Sequence, residues 1–195
     1  MPENPSVART RATELLGTAA VAFSVLYFAS DVWEAVQGGF SAPQLWLTLV
    51  AEAAIPVVVI GLYLAQRPRI ARHAAVAAGA YAYAYVFFTA TVVVALVQGT
   101  PDYATLSEQL GVWMTVHGAI MLVAGVWFGY AVVRADVLPR WAGVALALGV
   151  VAVAATQGAP EGVQLVAAGL RDLGFAGMGA GLLVRLPRAA MRPSS

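Results

Sequence analysis

Six apolar runs, each cut off from the next by a short stretch of turn residues, take up most of this chain. They cover roughly residues 13–37, 44–66, 71–98, 108–134, 140–157 and 162–186. Between them stand GGFSAP, QRPR, QGTPDY, DVLPR and QGAPEG, whose glycines and prolines interrupt helices. A helix needs about 20 apolar residues to cross about 30 Å of hydrocarbon, and all but the run at 140–157 reach that length. Composition points the same way. The 195 residues are 61% hydrophobic and 11% charged, and a soluble domain of this size leaves too much surface exposed to hide that apolar share. The expected fold is therefore all-α: a polytopic membrane protein, one six-transmembrane-helix bundle spanning residues 1–195. The polar N-terminus MPENPSVARTRATE precedes a run too long for a signal-peptide core, so the first run is expected to be a retained span.

Arginine placement predicts the orientation. Arg9 and Arg11 precede the first run, and Arg67, Arg69 and Arg72 lie between the second and third. Arg134 and Arg140 flank the fourth turn, and Arg185, Arg188 and Arg192 follow or close the last run. The opposite loops carry Asp102, Glu108 and Glu161 and no arginine. The positive-inside rule then puts both termini in the cytoplasm. Heavy use of Ala, Gly, Val and Arg is that of a GC-rich bacterial genome, so the expected location is the bacterial cytoplasmic membrane, multi-pass.

Several function classes drop out. There is no cysteine, which removes disulfides, thiolate metal sites and thiol nucleophiles. There is no lysine either, which excludes a retinal or pyridoxal Schiff base. The net charge of +1 and the absence of a basic stripe argue against a nucleic-acid partner. With two histidines, His73 and His117, far apart in depth, neither a metal site nor any cofactor is expected. No aspartate-rich pair is present to bind a diphosphate through magnesium.

What remains is a set of polar residues inside the runs. Each charge at the centre of a span costs roughly 2.5–3.5 kcal/mol on insertion scales, so each marks a functional hypothesis. With a rise of 1.5 Å per residue, Asp31 lies ~9 Å and Glu34 ~13 Å from the midplane towards the outside. Glu52 and His117 lie ~5 Å out, and Arg171 and Asp172 within ~4 Å of the centre. Four helices thus bring polar groups to the outer half of the membrane. Ser24, Tyr27, Asp31 and Glu34 share one helix face, the signature of a lined cavity. Pro56 follows Glu52 by four residues and frees the Glu52 carbonyl from its helical partner. Arg171 and Asp172 are adjacent, so they should point about 100° apart and not pair, with Arg171 reaching Glu52 or Asp31 instead. Four carboxyls, Asp31, Glu34, Glu52 and Asp172, stand against one guanidinium and at most one imidazolium. That count predicts at least one neutral carboxyl at pH 7, the form a general acid requires. Aromatic residues accompany the layer: YAYAYVFF supplies Tyr81, Tyr83, Tyr85, Phe87 and Phe88, and Tyr27, Trp33, Trp113 and Phe175 can join them. Acids beside aromatic faces can protonate an apolar chain and hold a carbocation by cation–π attraction. The alternatives stay open: a packing histidine at His117, a structural ion pair at Arg171, routine membrane packing for the aromatics.

The segment WEAVQG, Trp33–Gly38, resembles the W-E-x-x-x-G segment of small integral-membrane terpene cyclases. In that family a membrane-embedded glutamate and a late aspartate drive protonation-initiated cyclisation of a prenyl chain or its epoxide. The resemblance implies such roles for Glu34 and for Asp172 in RDLGF. The best-known members have seven spans, against six expected here. The chain as a whole also resembles small actinobacterial membrane proteins. Two functions follow as expectations. The first is an enzyme acting on a lipophilic small molecule. Its catalytic candidates are Glu34, Asp31, Glu52 and Asp172, and its substrate-binding candidates are Tyr27, Trp33, Trp113, His117, Arg171 and Phe175. The second is a proton-coupled transporter or carrier using the same polar cluster. In both, membrane lipid is the surrounding partner.

Overall fold

The computed structural model describes residues 5–190, in seven α-helices and no strand among them. They are α1 (Pro5–Gln37), α2 (Ala42–Ala65), α3 (Ala74–Gln98), α4 (Tyr103–Leu110), α5 (Val112–Ala135), α6 (Arg140–Ala155) and α7 (Glu161–Ala190). Four stretches are long and apolar enough to cross a membrane: Thr10–Gln37, Ala42–Ala65, Ala74–Gln98 and Val112–Ala135. Helix α6 is apolar but only 16 residues long, and α7 carries Arg171 and Asp172 in its middle.

Six of the helices overlap the six expected runs; the differences lie at the ends. Arg11 sits inside α1 rather than before it, because α1 begins at Pro5 and runs through residues that tolerate a helix well. Arg192 lies outside the described residues, and of Arg9 and Arg188 only the backbone is described. The run expected from residue 108 is cut at Gly111, whose φ of +53° ends one helix and starts the next. Upstream of that break the eight residues of α4 form their own helix. Asp102 caps it by accepting a hydrogen bond from the Thr105 N–H at 2.7 Å. This contact holds the Asp102 carboxyl below its ordinary pKa.

The long helices pack as a closed ring in the order α1–α2–α3–α5–α6–α7, with α7 returning to α1. Each neighbour is antiparallel. On α1 and α2, Ser30 meets Gln44 and Thr48 while Leu16 meets Gly61. On α1 and α7, Gly17 lies against Gly179 and Phe28 against Gly169. Glycines set the closest approaches: a Cβ on Gly129 would lie 2.6 Å from the Gly143 carbonyl across α5–α6, and one on Gly174 would lie 2.6 Å from the Leu146 nitrogen across α6–α7. The glycines of GFAGMGAG do serve close helix packing, as their spacing predicts: Gly177 faces Trp141 and Gly181 faces Pro139.

The ring is filled in one half and hollow in the other. Tyr81, Tyr85, Phe128 and Phe175 are fully buried and form a plug. Tyr81 stacks on Phe175 with centroids 6.0 Å apart, and Tyr85 meets both rings edge-on. Apolar residues such as Val59, Leu62, Leu146 and Met178 extend it towards the end where the arginine-bearing turns lie. The other end is hollow.

Candidate functional site

Above the plug lies a cavity of about 590 Å³. All seven helices contribute to its wall. That volume is in the range of pockets that hold a drug-sized ligand, roughly 300–1,000 Å³. The cavity occupies the end of the ring that carries α4 and the α1–α2 and α6–α7 loops.

The charged groups of the wall stand on α1, α2 and α7. Tyr27, Ser30, Asp31 and Glu34 of α1 face Gln44, Thr48 and Glu52 of α2, which recur every fourth residue and so share one stripe. Deepest, the Tyr27 hydroxyl donates to Glu52 Oε1. One turn up, Ser30 Oγ and Thr48 Oγ1 are 2.6 Å apart, and Ser30 Oγ also donates to the Gln44 carbonyl. At the mouth, Gln44 Nε2 donates to Glu34 Oε2 at 3.2 Å and to Thr48 Oγ1 at 3.0 Å. The two helices are thereby zipped by side chains, which orients every carboxyl on that wall.

Arg171 enters from α7. Its Nε and Nη2 donate to the two oxygens of Asp172 at 2.9 and 3.2 Å, and Nη2 reaches Asp31 Oδ2 at 3.5 Å. Its guanidinium lies 4.4 Å above the Tyr27 ring. The expectation that Arg171 and Asp172 do not pair is therefore corrected. Both positions are buried because α7 is packed by α1 on one side and α6 on the other, and the long arginine side chain curls back to its neighbour. Of the two partners expected on another helix, Asp31 is met; Glu52 bonds Tyr27 instead. The result is one connected group, Asp172–Arg171–Asp31 and Arg171–Tyr27–Glu52.

The remaining residues predicted from sequence scatter. Asp31, Glu34, Glu52, Tyr27 and Arg171 line the cavity. Asp172 and Phe175 are buried beneath it and do not line it. Trp33 and Trp113 are exposed on the outside of the ring, away from the cavity wall. His117 faces α3: its Nδ1 lies 2.9 Å from the Trp113 carbonyl and its Nε2 3.0 Å from the Tyr83 hydroxyl. Because a carbonyl only accepts, Nδ1 carries the proton and Nε2 accepts from Tyr83. Phe87 stacks on its ring at 3.6 Å, and His117, with both ring nitrogens partnered, does not line the cavity.

Sequence reasoning missed further polar lining groups, among them Gln44, Thr48, Tyr103 and Glu161. Gln44 and Thr48 were signalled by their four-residue spacing to Glu52. Tyr103 and Glu161 stand at the rim, on loops and helix starts that no periodicity marks. Burial and the Glu52 and Glu34 carboxylates raise the Tyr103 phenol above its ordinary pKa.

Several buried polar atoms have no hydrogen-bond partner: Glu52 Oε2 and Gln44 Oε1 on the cavity side, and the Tyr81 and Tyr85 hydroxyls in the plug. A buried polar group without a partner costs about 1–3 kcal/mol and calls for an explanation in function. Glu52 concentrates that question. It is 5% exposed, one oxygen is held by Tyr27, and the other is unpartnered on a residue that lines the cavity. No His, Asp and Glu cluster suited to a metal ion occurs among the described residues. No family model, no curated protein and no solved structure matches this chain.

Proposed function

We propose that this chain is a membrane-embedded enzyme that protonates an uncharged prenyl or terpenoid chain and so starts its cyclisation or isomerisation. The observation that carries the reading is the Glu52 carboxyl. Its Oε1 is held by Tyr27, and its Oε2 is buried without a hydrogen-bond partner on a residue that lines the cavity, so a proton there is committed to no other group. The opposite wall is fit for such a chain, with Phe88, Met121, Leu122 and Val150. The Tyr27 ring, already under Arg171, and Phe88 offer π faces to positive charge developing on the substrate. Asp31, held by Arg171, is the nearby carboxylate that takes up the last proton. Asp172, for which the resemblance to membrane terpene cyclases implied a part in driving cyclisation, acts here on Arg171 and positions it. Glu34 stands at the mouth with Gln44 and exchanges protons with water.

The test is direct. The protein in detergent is incubated in D₂O with a panel of linear prenyl alkenes and their terminal epoxides. From an alkene, initiation by a protonated carboxyl should give a cyclised product with one carbon-bound deuterium at the chain terminus; from an epoxide the proton goes to oxygen, and the expected product is a cyclic alcohol without that deuterium. Cyclisation of no member of the panel overturns the reading. A second reading, a proton-coupled carrier, draws on one observation. Carboxyls run from the rim at Glu161 and Glu34 to the floor at Asp31 and Glu52, a spacing suited to passing protons inward. Proton uptake linked to solute entry in vesicles, without any product, would favour it.

The membrane setting belongs to the same proposal. All six long helices span a bacterial cytoplasmic membrane, α7 sheltering its charges inside the ring, with the arginine-bearing end in the cytoplasm. Reporter fusions at the C-terminus and after Asp102 should report cytoplasm and exterior, respectively; an external C-terminus would reverse the orientation.

A further inference from the structure

We infer that the cavity is loaded sideways from the lipid, through a portal between the outer halves of α5 and α6, and that it takes a membrane-dissolved chain without an anionic headgroup. This deepens the proposed function and rests on reading the cavity as the site of an apolar ligand.

The portal follows from where α5 and α6 touch. In the lower half they pack closely: the backbones of Gly129 and Gly143 meet, and Gly125 lies against the Val150 side chain. Higher up the contact stops. A Cβ added to Gly118 would meet nothing within 4 Å, although Gly118 lines the cavity. On either side of the gap, Thr115 and Ala119 of α5 and Ala154 of α6 line the cavity and are exposed, and Ala119 also borders a shallow groove with Val123 and Trp127 on the outer surface. A residue borders both the cavity and the outer surface only where the wall is open. The edges of the opening are apolar or small. Met114 and Met121 stand just inside, and flexible methionine side chains can adapt to a passing chain.

The charges exclude an anionic head. Arg171 is the cationic side chain on the cavity wall, and Asp172 and Asp31 already occupy its guanidinium. The rest of the wall carries Glu34, Glu52 and, at the rim, Glu161. A phosphate or carboxylate would meet like charge there, and no free donor of opposite sign would offset it.

The test measures access to Glu52 and does not depend on turnover. The intact protein in phosphatidylcholine vesicles is treated, from acidic to neutral pH, with dicyclohexylcarbodiimide, which partitions into lipid. A protonated carboxyl adds its O–H across the carbodiimide, and the site is mapped by mass spectrometry. A water-soluble carbodiimide is the comparison reagent. The lipid-soluble reagent should modify Glu52 in the wild type, and the water-soluble one should favour Glu34 and Glu161. Gly118→Phe should remove most of the Glu52 modification, and so should Ala154→Phe, a second plug from the opposite edge. Val116→Phe, on the exposed outer face of α5, should leave it unchanged. Thermal melting of each variant establishes that it is folded. The portal is overturned if folded plugged variants react as fast as the wild type. It is equally overturned if Glu52 reacts at least as readily with the water-soluble reagent, or with neither reagent in the wild type. Should Glu52 prove not to be the acid, the plugs would still block its labelling, so the two ideas fail separately.

Discussion

Glu52→Gln should lower turnover by ~10²–10⁴-fold, the range lost with a general acid, with little change in fold. Glutamine keeps the volume of the side chain, and its carbonyl oxygen still accepts the Tyr27 hydroxyl that Glu52 Oε1 accepts now. What disappears is the proton on the second oxygen. The measurement is initial rate of product formation from whichever prenyl substrate the wild type cyclises, alongside a melting curve in detergent. Tyr27→Phe should cost less, because it removes the hydroxyl that orients the acid and leaves the acid itself. Glu34→Gln and Asp31→Asn should separate supply from chemistry. Glu34 lies at the mouth on Gln44, so its loss should slow proton resupply. Asp31 is held by Arg171, so its loss should alter the product rather than abolish initiation. Near-normal turnover in Glu52→Gln, Glu34→Gln and Asp31→Asn alike would end the acid-catalysis account.

Arg171→Met should unfold the protein or lower its stability by about 3–5 kcal/mol, the usual cost of stranding a buried charge. Arg171 is 6% exposed and Asp172 4%, and both oxygens of Asp172 are taken by the guanidinium. Methionine has similar bulk, so the loss should reflect charge and hydrogen bonding rather than a cavity. Two further variants identify the cause. Arg171→Lys should remain impaired, since an ammonium cannot supply the two-pronged contact. The combination Arg171→Met, Asp172→Asn and Asp31→Asn should regain much of the stability, because no charge is then left alone. The readout is the melting temperature of purified protein. A stable Arg171→Met variant would mean that Asp172 and Asp31 need no counter-charge.

The candidate site was legible in part, and the reasons are specific. Tyr27, Asp31 and Glu34 follow helical spacing on one apolar run, so a shared face was readable before any packing was known. Glu52 stood out as a carboxyl deep in a run, and a match in depth between two neighbouring helices brings it beside Tyr27. Gln44 and Thr48 lie on the same stripe as Glu52 but are uncharged, and uncharged polar residues carry little signal in an apolar run. Trp33 and Trp113 illustrate the opposite limit. Trp33 adjoins Glu34, yet a helix sends adjacent side chains about 100° apart; Trp113 lies one turn before His117, which itself faces α3, and which side meets the cavity depends on where the other helices stand. The pairing of Arg171 with Asp172 has the same origin: separation around the helix argued against it, and a long flexible side chain in a crowded interface overrode it.

Length and spacing of apolar runs determined by themselves that the chain is all-helical, with stretches long enough for a membrane. Turn residues between the runs determined that neighbours in sequence lie antiparallel, which puts the arginine-bearing turns at one end and the cavity at the other. Both are local consequences of backbone hydrogen bonding and of the cost of charge in lipid. Closure was decided only by the tertiary structure. That α7 returns to α1 and makes a ring, that aromatic residues fill one half of it, and that the other half stays hollow all depend on contacts between residues far apart in the chain. Glycine at one position admits a neighbouring backbone and at another faces open space. The two look alike in sequence because the difference resides in the partner.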